Sequence, residues 1–77
     1  MDSEELIDFV SEEPFRPYRI TLTNGTTYDV EHPELAAIGS GTVIVGIKLK
    51  RKKRRSMREV LISLAQIIQV EFIEREP

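Results

Sequence analysis

Tyr18-Arg19-Ile20-Thr21-Leu22-Thr23-Asn24-Gly25-Thr26-Thr27-Tyr28-Asp29-Val30 is the stretch that decides the fold. Apolar and polar residues alternate on both sides of Asn24-Gly25, a dipeptide that favours the left-handed backbone of tight hairpin turns. Two registers are open. A two-residue loop of Asn24 and Gly25 would set Ile20 against Asp29 and turn Tyr28 and Val30 to the wrong face. A three-residue loop, Thr23-Asn24-Gly25, sets Leu22 against Thr26, Ile20 against Tyr28 and Tyr18 against Val30, all on one side. Arg19 then meets Asp29 and Thr21 meets Thr27 on the other. Because a one-residue slip exchanges the two faces of a strand, the second register is expected, with Gly25 at the left-handed position of a G1 bulge.

Working outward, residues 2–13 read as a short helix. Asp2 or Ser3 caps it, Glu4 and Glu5 suit its positive end, and Leu6, Phe9 and Val10 form one apolar stripe widened by Ile7. Pro14 stops it, and Pro14-Phe15-Arg16-Pro17 is an extended connector. After the hairpin, His32 to Ala37 reads as a helical turn started by Pro33, with Leu35 and Ile38 facing inward. Residues 42–49 form a strand with Gly46 inside it, residues 59–63 another, and Leu64-Ala65-Gln66 a tight turn. Residues 67–73 form the last strand, with Ile68, Val70 and Phe72 on its inner face. The expectation is one domain over 1–77, mainly β (α+β): a short N-terminal helix followed by a five-stranded antiparallel, strongly bent sheet or small barrel over 18–73.

Composition narrows the chemistry. The 77 residues hold no cysteine and one histidine, which excludes disulfides and thiol chemistry and leaves no spacing for a metal site. No apolar run approaches the ~20 residues of a membrane span, and the acidic start is unlike a signal peptide. A cytoplasmic protein with no membrane role, no cofactor, no small-molecule substrate and no catalytic residues is expected. His32 has no company to make it a base or a ligand; capping the Pro33 turn, or hydrogen bonding to backbone, suits it better.

Charge is the distinctive feature. Lys48, Lys50, Arg51, Lys52, Lys53, Arg54, Arg55 and Arg58 are 8 of the 11 basic residues and have no acid among them. All 13 acids lie elsewhere, against Arg16, Arg19 and Arg75. A net charge of −2 therefore hides an acidic body with one cationic segment, read as a basic hairpin loop over 48–58. Such a segment suits the phosphate backbone of RNA or DNA, and with no aromatic between Arg51 and Arg58 it would not stack on bases. It equally suits a solvated loop held open by self-repulsion, or docking on an acidic partner, a second copy included. Exposed strand edges add homo-oligomerisation as a rival to nucleic-acid binding.

Two resemblances complete the reading. Pro14-Phe15-Arg16-Pro17-Tyr18, then Asn24-Gly25, Tyr28, Val30 and His32-Pro33-Glu34, resembles a family of small bacterial proteins of unknown function that share a PFxP[FY], [DN]G, HPE pattern. It implies no activity. The element order is similar to the Sm-like small barrel, and to the SH3-like one. The sequence lacks the bending glycine of the Sm-like second strand, the base-holding Asp/Asn loop, and a Lys-His pair near residues 63–66. The resemblance therefore transfers no RNA-binding residue.

Overall fold

The structure, a computed structural model, describes residues 1–51 and 54–74. Helix α1 (Ser3–Val10) is followed by strands β1 (Tyr18–Leu22), β2 (Thr27–Val30), β3 (Ala36–Ile38), β4 (Thr42–Arg51), β5 (Arg54–Ser63) and β6 (Ile67–Phe72). Single 3-10 turns, Pro33–Leu35 and Leu64–Gln66, precede β3 and β6. The strands form two three-stranded antiparallel sheets, ordered β2-β1-β6 and β3-β4-β5. The mainly β character holds, but the single five-stranded sheet does not. Among the described residues there are six strands, and no ladder joins the sheets into a closed barrel.

The β1–β2 hairpin has the expected register: Tyr18 pairs with Val30, Arg19 with Asp29, Ile20 with Tyr28 and Thr21 with Thr27. The Gly25 N–H donates to the Leu22 carbonyl (2.9 Å), and Gly25 has φ +88°. Asn24 Oδ1 accepts from the Thr26 N–H at 3.0 Å, so the loop satisfies its own backbone.

Helix α1 is shorter than the expected 2–13. Asp2 Oδ1 accepts from the Glu5 N–H at 2.8 Å and caps its start. This hydrogen bond to the charged carboxylate lowers the pKa of Asp2. At the other end Pro14 has no N–H to give the Val10 carbonyl four residues back, and its ring clashes there. The helix accordingly stops at Val10, and the Ser11 N–H and hydroxyl both donate to the Ile7 carbonyl.

Two further features arise from tertiary pairing. The region read as a helical turn through Ala37 is helical over Pro33–Leu35, after which Ala36, Ala37 and Ile38 pair with Val45, Ile44 and Val43. The open edge of β4 offers these residues backbone partners, which outweighs the helix preference of alanine. The last strand lies beside β1 and not beside β5. The turn before it is tied to both sheets: the Leu64 N–H donates to Gly41 (3.0 Å) and the Thr23 N–H donates to Gln66 (2.8 Å). Along β6, Val70 faces Ile20 and Phe72 faces Tyr18, but the register shifts so that Leu22 meets Ile67. This bulge puts Ile67 in the core and leaves Ile68 62% exposed, reversing the expectation for Ile68.

Leu6, Tyr18, Ile20, Val30, Leu35, Val43, Val45, Ile62, Leu64 and Ile67 make one buried cluster drawn from α1 and both sheets. Gly46 lies where Leu35 crosses β4. A Cβ there would make ordinary contact with Leu35 Cδ2 at 3.5 Å and would displace the Met57 methyl, 2.8 Å away at the end of a flexible, exposed side chain.

Candidate functional site

Strands β4 and β5 pair along their whole length, from Thr42 opposite Ser63 to Arg51 opposite Arg54. Strand β3 accompanies β4 as far as Val45. From Gly46 opposite Glu59 outward, six pairs form a two-stranded ribbon in which β4 and β5 have each other as ladder partners. The basic segment is therefore strand rather than loop over its described residues. Lys48, Lys50 and Arg51 belong to β4, and Arg54, Arg55 and Arg58 to β5; Lys52 and Lys53 lie outside the described residues.

The register decides what this ribbon is electrostatically. Lys50 stands opposite Arg55, and Arg51 opposite Arg54. Directly opposed like charges destabilise a β-ladder. Lys48 is opposite Met57 and Arg58 is opposite Ile47, and both cations are exposed. Alternation along the strands puts Lys48 on the face shared with Ile44 and Arg58 on the face shared with Val45.

The arginines of the body are engaged differently. Arg19 Nε donates to Asp29 Oδ1 at 2.8 Å and Nη2 donates to Oδ2 at 3.2 Å, a bidentate pair across β1 and β2. Glu71 is the partner of Arg19 on the β6 side. Asp29, and to a smaller extent Glu71, raise the pKa of Arg19. The Arg16 guanidinium lies 4.0 Å over the Phe72 ring and 3.8 Å from Glu12. Arg16 and Arg19 thus make the ion pairs found among the described residues, and neither pair involves Lys48 or Arg58.

At the root of the ribbon a groove of about 240 Å³ is lined by Asp29, Glu31, His32, Leu35, Gly46, Ile47 and Lys48. The His32 imidazole makes no cap hydrogen bond; its carbonyl accepts from the Leu35 N–H at 3.0 Å. Its expected capping role therefore falls to the backbone. Among the described residues no group of three or more His, Asp or Glu is placed to hold a metal ion, and no helix is long and apolar enough to cross a membrane.

Pairing across the outer face of the second sheet brings together residues that the linear sequence keeps apart. Ala37, Ile44 and Leu61 are successive cross-strand partners on β3, β4 and β5, with Ile44 39% and Leu61 67% exposed. Alternation marks Ile44 and Leu61 as strand residues and the β4–β5 register aligns them, while Ala37 joins the row through β3, which the sequence pattern hid.

No family model, no curated protein and no solved structure matches this chain.

Proposed function

We propose that this chain is a non-enzymatic binding module that holds nucleic acid by its phosphates, through the cationic β4–β5 ribbon. The observation that carries this reading is the β4–β5 register. It aligns Lys50 with Arg55 and Arg51 with Arg54 in a segment that contains no acid. A polyanion relieves that repulsion and releases its own condensed counterions on binding. Among the described residues Arg16 and Arg19 are paired with Glu12 and Asp29, whereas exposed Lys48 and Arg58 of the ribbon take part in neither pair. Contacts to phosphate position a protein without reading bases, so little sequence preference is expected. An open small barrel of the Sm-like or SH3-like kind is the finer fold class in keeping with the leading helix and the 3-10 turn before β6. A cytoplasmic setting suits a chain without cysteine.

The test is whether purified protein carries nucleic acid, read from its 260/280 nm absorbance ratio before and after a high-salt wash. Oligonucleotide binding is then measured across a salt series. A log affinity that falls linearly with log salt is expected, together with loss of binding on changing Lys52, Lys53, Arg54 and Arg55 to Gln. Absence of binding at low salt overturns the reading.

The exposed row Ala37–Ile44–Leu61, beside the free edge of β5, favours a second reading, a self-associating or protein-interaction module with no nucleic-acid role. Light scattering over a concentration series separates the two. A dimer or larger species without oligonucleotide binding supports this second reading, and a concentration-independent monomer removes it.

A further inference from the structure

We infer that the ligand of the ribbon is duplex DNA, entered by way of its major groove. The inference rests on the nucleic-acid reading above and adds the form of the nucleic acid. Three observations lead to it.

The first is shape. Six ladder pairs beyond the last β3 contact, from Gly46–Glu59 to Arg51–Arg54, extend about 17 Å at the usual rise of a strand. Two strands lie ~4.8 Å apart. A two-stranded ribbon of that width is admitted by a major groove ~12 Å wide and ~8.5 Å deep, whereas a minor groove of ~6 Å would have to be widened to take it, at a cost in DNA deformation. The deep, narrow major groove of A-form RNA does not admit it.

The second is the distribution of charge. Exposed Lys48 and exposed Arg58 lie on opposite faces of the ribbon, because their partners Met57 and Ile47 do. A surface that lies flat on one strand needs cations on one face. A ribbon standing between two phosphate walls needs them on both.

The third concerns what surrounds the ribbon. No aromatic residue lies between Lys48 and Arg58 to stack on the splayed bases of a single strand. At the root, exposed Glu59 would repel phosphates that approached further. That carboxylate orients the encounter, so that phosphates meet the cationic length of the ribbon and not its root.

The experiment is fluorescence anisotropy with the full chain and four probes of equal length: duplex DNA, duplex RNA, single-stranded DNA and single-stranded RNA, each across a salt series. Duplex DNA is expected to bind ~10-fold or more tightly than the other three, as groove complementarity adds to the charge interaction. Lys48→Gln and Arg58→Gln, both at exposed positions, should each lower the salt slope on duplex DNA by about one phosphate contact. A drug that fills the minor groove should leave binding unchanged. Equal or tighter binding to a single strand or to duplex RNA overturns this inference and leaves the nucleic-acid reading standing. Displacement by the minor-groove drug, or a slope that responds to one of the two variants alone, overturns it too. Failure to bind all four probes overturns the nucleic-acid reading itself.

Discussion

The rings of Phe9 and Phe72 stack with centroids 4.5 Å apart and planes 12° from parallel, joining α1 to the end of β6. The Arg16 guanidinium also lies over the Phe72 ring, and Leu6 of the same helix is buried in the core. An eight-residue helix is marginal by itself, so these contacts hold it in place. Phe9→Ala should lower stability by about 1–2 kcal/mol, the stacking contribution plus partial burial. Urea unfolding measures this, and an unchanged midpoint would show that α1 docks without the stack.

Gly25 faces open space: a Cβ built there meets nothing within 4 Å, while φ is +88°. Any cost of substitution is therefore conformational and not steric against neighbours. Gly25→Val should destabilise by roughly 1–2 kcal/mol and Gly25→Asn by clearly less, since asparagine tolerates the left-handed region. Equal losses for the two variants in denaturant titrations would contradict this account.

The opposed pairs Lys50–Arg55 and Arg51–Arg54 predict an unusual salt response. Screening weakens repulsion as well as attraction, so added salt should raise the melting temperature of the free protein. Changing all four residues to Gln should raise stability by about 0.5–2 kcal/mol and flatten the salt dependence. A fall in melting temperature with either change would mean that the ribbon is held by attractions rather than strained by its own charge.

Tyr18 is buried, and burial raises its phenolic pKa above 10.0. As pH rises past 10, the unfolded chain releases this proton first while the folded chain retains it, so stability falls. The loss continues until the folded pKa is passed and then levels off. Alkaline unfolding followed by circular dichroism should therefore begin above pH 10. It should move to higher pH in Tyr18→Phe, which keeps the ring and removes the titrating group.

Much of the chemistry was legible from local pattern. Strict alternation around Asn24-Gly25 leaves a single register that keeps Tyr18, Ile20, Tyr28 and Val30 on one face, and the ladder follows it. The Asp2 cap was equally readable, because its carboxylate acts within one helical turn. The end of α1 was less so, since 11–13 carry no strong breaker of their own and the effect of Pro14 reaches back to Val10. The cationic segment was plain as composition, but its conversion from loop to ribbon was not. Glycines, prolines and asparagines normally mark where a strand ends, and residues 48–58 contain none.

By itself, then, the sequence determined the features whose causes lie within a few residues: the hairpin turn, the helix cap, the faces of β1 and β2 and the segregation of charge. Tertiary structure alone decided which strand lies beside which, the recruitment of Ala36–Ile38 into a sheet, and the bulge that exchanges Ile67 for Ile68. The reason is physical. A strand's own pattern specifies which side it buries, but its neighbour is chosen by backbone groups and apolar surface brought from far along the chain. Here β6 found its partner through the bonds of Leu64 to Gly41 and Thr23 to Gln66, which no local pattern encodes.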